Sequence, residues 1–408
     1  LDVDFASVSK QRCAVAEKRN CSHCVRVLYV DANATTPITP AVLDAMLPWL
    51  RDGFANPSGA HTAAKRAREA IERARAQVAG LIGAEPEEIV FTGCGTESVN
   101  AALFSMHRLC GPGHALVSSI EHSAVLRTVA AMDREVVEIP CLTDGRVDVD
   151  AAARMMMGAA FVSVMTANNE TGVIQPMQEI SALARAAGLP LHTDAVQAVG
   201  KIPVDVRKPG VEMLSLAAHK FGGPKGVGAL YVRRGLRFSP LLHGGGQEGG
   251  RRSGTENTAG IVGMGAAAEL AGQSLADSSV RDWFEGNIME LLEGVSLNGA
   301  TAPRLPNTSH LSIRGCDAAG MLILLDEAGV ACSAGSACMT GKSKPSHVQL
   351  AMGIDEARAR TSLRISFLRD ATIGDAGVAA EKIAAAANKL RRVQGHGVGP
   401  VVVYSPGD

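Results

Sequence analysis

The sequence predicts an α/β protein built on a mostly parallel sheet, and three observations carry that prediction. Short apolar runs alternate with helical stretches from residue 29 onward. Several of those runs, such as FVSVMTAN (161–168) and EMLSLAA (212–218), are apolar at nearly every position. That is the composition of a strand covered on both faces. Glycine-rich turns recur where strands hand over to helices, as in TGCGTES (92–98).

The elements follow in order. Residues 62–83 are Ala/Arg-rich with apolar positions at helical spacing, closed by Gly83. EIVFTG (88–93) reads as a strand and about 96–108 as a helix. HALVSS (114–119), VVEIP (136–140) and FVSVMTAN (161–168) read as strands. MQEISALARAAG (177–188) is a helix ending in Gly188. LPLHTDA (189–195), EMLSLAA (212–218) and GVGALYVRR (226–234) are strands. Helical sequence covers 257–274 and 279–294. The last third reads as strand 307–313, helix 318–329, strand 361–368 and a helix over about 372–392. The expected organisation is an extension over 1–28, a large domain over 29–275, a small domain over 276–392 and an irregular tail over 393–408. The first residues of the large domain are expected to pack with the small one. No internal repeat is found.

Composition narrows the function. The 408 residues hold 40 Lys+Arg against 41 Asp+Glu, a net charge of −1. That balance argues against nucleic acid as a partner. Aromatic residues at 3% leave little for base stacking. No apolar run approaches the ~18 residues that span a bilayer, and the charged first residues lack a secretory core. A soluble, cytoplasmic protein with no membrane partner is expected. Nine cysteines are too sparse for a disulfide scaffold and fit free thiols.

Four segments carry candidate chemistry. TGCGTES sits between a strand and a helix, where backbone N–H groups and the Thr96 hydroxyl suit a phosphate, although such a turn also occurs for tightness alone. Lys220 in AAHKFGGPKGVG (217–228) ends an apolar strand beside His219. It is either an imine-forming lysine or one that snorkels to the surface. Asp194 in HTDAVQ (192–197) stands at a strand's carboxyl end, the usual ligand crevice of an open sheet. A pyridinium nitrogen, an arginine or a helix cap would each satisfy it. Cys338 lies in CSAGSACMTGKSKPSH (332–347), among small residues that suit either an accessible, reactive thiol or an inert cysteine on a flexible turn. Phosphate cradle, lysine and acid together suit pyridoxal phosphate (PLP) better than a nucleotide. Cys21-Ser22-His23-Cys24 with Cys13 resembles half of a metal site, but its surroundings give no support and no metal is expected.

The chain resembles the cysteine desulfurases, PLP enzymes of the fold-type-I, class V aminotransferase group. The resemblance runs from about 29 to about 390 through YVDANATTP (29–37), FANPSGAH (54–61), FTGCGTES (91–98), EHSAVL (121–126), NNETGVIQP (168–176), HTDAVQAVGK (192–201), AAHKFGGPKGVGALYV (217–232), HGGGQEGGRRSGTEN (243–257), CSAGSACMTG (332–341) and TSLRISF (361–367). The cysteine-loop pattern is the long type of the nitrogen-fixation and general iron–sulfur assembly branch. The resemblance implies a seven-stranded, mostly parallel sheet in the large domain and a small α/β domain carrying the cysteine loop. It implies that Lys220 joins the cofactor covalently, and that His219, Thr96 and the Gly95 backbone hold its phosphate. Thr255 would reach the phosphate of a neighbouring subunit, which implies a homodimer. Asp194 would bind the ring nitrogen and Gln197 the ring hydroxyl, while His122 stacks on the ring and moves protons. Asn33, Asn169 and Arg364 would bind L-cysteine. Cys338 would take its sulfur as a persulfide, leaving L-alanine, and hand it to an acceptor such as an iron–sulfur scaffold protein.

Three departures are visible. Ala217 stands where the family often has serine, which removes one hydroxyl from the phosphate grip. Lys342 and Lys344 stand where an acidic residue is common. Cys94 in the phosphate turn is expected to be a small filler, and Cys332 to pack. Two other readings compete. One is a selenocysteine lyase, β-lyase or aminotransferase of the same fold. The other is a metal- or sulfur-binding scaffold using the N-terminal cysteines.

Overall fold

The computed structural model describes residues 27–208, 210–273, 275, 277–334 and 345–395. Its strands are β1 (Leu28–Tyr29), β2 (Ile89–Thr92), β3 (His114–Ser118), β4 (Val136–Ile139), β5 (Ala159–Ser163), β6 (Leu191–Asp194), β7 (Met213–Ala217), β8 (Gly228–Val232), β9 (Val295–Leu297), β10 (Thr308–Ile313), β11 (Val330–Ala331), β12 (Ser333–Ala334) and β13 (Ser362–Ser366).

Seven strands form the main sheet in the order β2-β8-β7-β6-β5-β3-β4. β8 runs antiparallel to both its neighbours, and every other adjacent pair is parallel. The carboxyl ends of β2, β3, β5, β6 and β7 therefore open on one edge, which is where such sheets place ligands. Helices cover both faces, so β2, β6, β7 and β8 are buried at every position.

The helix Thr62–Ile82 follows its apolar period. Ala67, Ala70, Ile71, Ala74, Val78 and Ile82 are buried along one stripe. Gly83 closes it at φ 69°, a left-handed cap that suits glycine. The stripe packs on the helix Thr258–Gln273. At that crossing a Cβ on Gly265 would lie 2.6 Å from the Ala74 Cα, so only glycine permits the approach.

A second, antiparallel sheet runs β12-β13-β10-β9. Its core joins Leu311, Ile313, Leu363 and Ile365 to Phe284, Ile288 and Phe367. β1 pairs in parallel with β11, and Val30 enters this second core before the chain crosses to the first. In the other direction, Val348 and Met352, on and just after the helix His347–Ala351, pack into the main core.

One strand is shorter than its apolar run suggests. β5 stops at Ser163, and 164–168 form a buried loop over the sheet edge. The Met165 amide donates to Glu121 Oε1 there rather than to a neighbouring strand. Among the described residues, no helix is long and apolar enough to cross a membrane, and no cluster of His, Cys, Asp or Glu could hold a metal.

Candidate active site

The crevice is assembled from the strand ends. β7 runs into a tight turn, Ala218–Lys220, that aims Lys220 back across the sheet edge. Its Nζ donates to two backbone carbonyls, Asn33 O at 2.7 Å and Ala34 O at 2.8 Å. Among the described residues, no carboxylate hydrogen-bonds to it. Burial, then the Arg364 cation, lowers its pKa to about 8, against an opposing pull from Asp194 and Asp31. On the order of a tenth is therefore an uncharged, nucleophilic amine at pH 7, far more than at the ordinary lysine value. Next to it, His219 Nδ1 meets Thr35 Oγ1 at 3.2 Å. Burial and the nearby lysines hold that imidazole down to about 4, hence neutral.

Asp194 ends β6 and is buried, with Oδ1 accepting from the Val196 amide at 2.9 Å. Burial pushes its carboxyl up, while the Val196 amide, His122 and Lys220 pull it back. Gln197 lies three residues beyond Asp194, with Nε2 donating to Asn33 O at 2.9 Å. His122 caps the helix Ser123–Ala130, where its Nδ1 accepts from the Ala124 amide at 3.1 Å. That cap assigns the neutral ring's proton to Nε2. Burial lowers its pKa despite the attraction of Asp194.

The phosphate turn lies at the start of the helix Gly95–Leu109. Gly95 is packed so closely that a Cβ would stand 2.9 Å from Val196 Cγ2 and 3.3 Å from Ala217 Cβ. Thr96 is exposed in the first helical turn. Cys94 departs from the expected filler: it is exposed, and its Sγ caps the helix by accepting from the Glu97 amide at 3.4 Å. A small residue at an N-cap is placed by its acceptor atom rather than by its volume.

From the second sheet, β13 contributes Arg364. Its Nη2 pairs with Asp31 Oδ1 at 2.7 Å and its Nη1 donates to Asn169 O at 3.0 Å. Its Nε is buried with no partner among the described residues. Asn33 holds the two sheets together. Its Nδ2 donates to Thr308 Oγ1 and Asn169 O, its Oδ1 accepts from Asn307, and its amide donates to Ser366 Oγ.

The fold thus gathers Lys220, His219, Asp194, Gln197, His122, Gly95, Asn33, Asn169 and Arg364 at one edge. Thr96 is at its rim. Thr255 stands apart: it is exposed and hydrogen-bonds to none of them. Three residues earlier on the same strap, the segment 243–257, Arg252 pairs with Glu97 at 2.8 Å. Cys338, Lys342, Cys13, Cys21, His23 and Cys24 lie outside the described residues, as does Lys344. Cys332 packs against the second core, and burial pushes its thiol up to about 12, so it is not a thiolate at neutral pH.

Three buried ionisable groups at the crevice escape sequence reasoning. Lys201 donates to Asn33 Oδ1 and Gln197 Oε1, both at 2.7 Å. Glu121, beside His122, accepts from Ser118 Oγ and Met165 N, and burial pushes it up to about 8. Glu170, beside Asn169, accepts from Ser346 Oγ at 2.5 Å and is pushed up to about 7. Each adjoins or follows within four residues a position already singled out. That proximity within apolar sequence was the available signal.

The model of the aminotransferase class-V family matches residues 28–377. The chain belongs to that family. Within it the chain falls among the cysteine desulfurases. It is 42% identical over 363 residues to the cysteine desulfurase of Gluconacetobacter diazotrophicus, covering 86% of this chain and 91% of that protein. It is 41% identical over 382 residues to the IscS-like cysteine desulfurase of Mycobacterium tuberculosis, covering 89% and 97%. Among solved structures, a NifS-like protein superposes with a TM-score of 0.81 at 33% identity, covering 91% of this chain and all of that one. The structure titled SspA in complex with cysteine superposes at 0.75 and 36% identity, covering 84% and 99%. The seven-stranded, mostly parallel sheet expected of this class V enzyme is the one observed.

Proposed function

We propose that this crevice holds PLP on Lys220 and moves the sulfur of L-cysteine onto Cys338, releasing L-alanine. The observation that carries the reading is Lys220 itself. It is a half-buried amine with lowered pKa, held among the described residues by two carbonyl oxygens and drawn on electrostatically by the buried Asp194 carboxylate. The residues fit the cofactor. Gly95 leaves backbone bare for a phosphate, with Thr96 and His219 alongside. Asp194 offers a carboxylate to the ring nitrogen, and Gln197 an amide to the ring hydroxyl. When bound, PLP supplies an electron sink that labilises the bonds around the substrate's Cα and Cβ.

The chain's own residues do the rest. Arg364, whose Nε has no partner among the described residues, offers its guanidinium to the substrate carboxylate beside Asn169 and Asn33. His122 covers the ring position with a neutral imidazole that donates from Nε2. To take up a proton on Nδ1, it gives up its helix cap. Cys338 attacks the sulfur of cysteine. The Cβ–S bond breaks, an S–S bond forms, and Cys338 becomes a persulfide while the carbon skeleton, reprotonated, leaves as alanine. The reaction balances without an external oxidant. A protein acceptor, such as an iron–sulfur scaffold, then takes the sulfane sulfur. The exposure of Thr255 supports a homodimer in which it reaches the partner's phosphate site. The large and small units are taken to divide as 29–275 and 276–392, with Val30 packing into the small unit's core and Val348 and Met352 into the large unit's.

Cys338→Ala tests the reading. It is expected to keep the cofactor's absorption and lose alanine and sulfide release from L-cysteine. Sulfide release at the wild-type rate overturns the nucleophile. Turnover of selenocysteine alone, or transamination without sulfide, favours the other PLP reactions.

A further inference from the structure

We infer that Lys201 is a positioning residue: its two N–H bonds lock the Gln197 and Asn33 amides in the orientation the cofactor and substrate require. The inference rests on the cofactor placement proposed above. Lys201 is four residues beyond Gln197 and 7% exposed. Among the described residues, no carboxylate is one of its hydrogen-bond partners. Nζ meets two amide oxygens instead, Asn33 Oδ1 and Gln197 Oε1, both at 2.7 Å.

Those two bonds have a directional consequence. An amide carries its acceptor and its donors on opposite arms. Claiming both oxygens turns both NH2 groups the other way. Gln197 Nε2 then donates to Asn33 O, the same carbonyl that Lys220 Nζ holds. Asn33 Nδ2 donates to Asn169 O and to Thr308 Oγ1 of β10. Asn307, just before β10, also donates to Asn33 Oδ1, at 3.3 Å. One buried amine thereby braces the proposed ring-hydroxyl amide against the junction of the two sheets, where Arg364 also bonds Asn169.

Two bonds need only two N–H groups, which a neutral amine possesses. Burial, with Lys220 and Arg364 nearby, holds Lys201 well below the ordinary lysine range. The brace thus need not bury an unpaired charge, whose cost would be large. A purely structural lysine would be expected to reach water or a carboxylate.

The test uses the full chain reconstituted with PLP. Lys201→Met keeps the stem and removes both donors, and Lys201→Gln keeps one shorter donor arm. The Met variant is expected to bind PLP about tenfold more weakly in a spectrophotometric titration, consistent with two lost hydrogen bonds. Its visible band should shift, and kcat for alanine release should fall about tenfold or more while KM changes less. Lys201→Gln should recover part of each. In a Gln197→Ala background, Lys201→Met should add clearly less than it costs in the wild type, the remainder being the lost bond to Asn33. A folded Met variant with wild-type band and affinity overturns the inference, as does full additivity with Gln197→Ala. Loss of folding in both Lys201 variants, read by far-UV circular dichroism, also overturns it by making the residue a packing element. Failure of the wild-type chain to bind PLP or release sulfide is a different outcome. It sinks the proposed function.

Discussion

Buried charge is handled in opposite ways at two places in this molecule. At the junction below the second sheet, Arg304 grips Glu285 with two parallel bonds of 2.6 and 2.8 Å, both side chains being less than 9% exposed. Under the strap, Arg75 does the same with Glu248, at 2.6 and 2.9 Å. At the crevice, among the described residues, Lys201 and Lys220 hydrogen-bond to uncharged oxygens, and Glu121 to a hydroxyl and an amide. The first regime pairs each charge with its opposite in place, so the groups hold structure. The second leaves groups desolvated without a counter-ion, so their pKa values move toward neutrality. Groups of the second kind are available for chemistry because nothing has already claimed their protons.

The sharpest way to break that comparison is to remove one group from each regime. Lys220→Met should abolish alanine release, a loss beyond about a thousandfold for an essential covalent residue. It should not cost stability. The folded amine titrates at about 8 against an ordinary 10.5. Below pH 8 both folded and unfolded chains bind the proton, and the folded state bears the full penalty of the buried charge. The penalty fades as pH rises from 8 to 10.5. The variant's Tm without cofactor should therefore be equal or higher at pH 7, and its advantage should shrink at pH 10. A lower Tm at pH 7 would make Lys220 structural.

Arg304→Met is the converse. It should destabilise by about 3–5 kcal/mol, because it leaves Glu285 buried and alone. Denaturant melts read the change. Among molecules that remain folded, cofactor binding should be little altered. A melt within 1 kcal/mol, by this order-of-magnitude scale, would dissolve the contrast between the two regions.

Much of this was legible beforehand. β2, β3, β6, β7 and β8 fall inside their apolar runs because a strand buried on both faces has no polar alternation to blur it. The helix Pro40–Arg51 was not read, although Thr39 caps it and Pro40 opens it. Pro48 within the same segment masked those signals. The pair β1 and β11 joins positions about 300 residues apart, which no local pattern announces. At the site, residues in family motifs were found, while Lys201, Glu121 and Glu170 were not. Their importance comes from what surrounds them in space, since burial without a counter-ion has no one-dimensional signature.

Glu121 sharpens the comparison by pH. Its folded carboxyl is raised to about 8 from 4.5. Between those values the unfolded chain has released the proton and the folded chain keeps it, so stability falls as pH rises and levels off above 8. Glu121→Gln mimics the protonated form and escapes that loss. It should match the wild type at pH 5 and exceed it by on the order of 1–3 kcal/mol at pH 9. Equal pH profiles would mean that Glu121 is ionised in the fold.

The smallest effect tests whether the phosphate turn is short of one donor. Ala217 is buried, and its Cβ lies 3.3 Å from where a Cβ on Gly95 would stand. Ala217→Ser adds a hydroxyl beneath that turn. Without PLP the hydroxyl is desolvated, so the apoprotein should lose about 1 kcal/mol or less. With PLP it can donate to the phosphate, and release of the cofactor on dialysis should slow about two- to fivefold. The two readouts move in opposite directions only if the phosphate sits against Ala217. A serine that weakens the apoprotein and leaves cofactor release unchanged would place the phosphate elsewhere on the turn. The crevice would then hold PLP through Thr96 and His219 without this strand end.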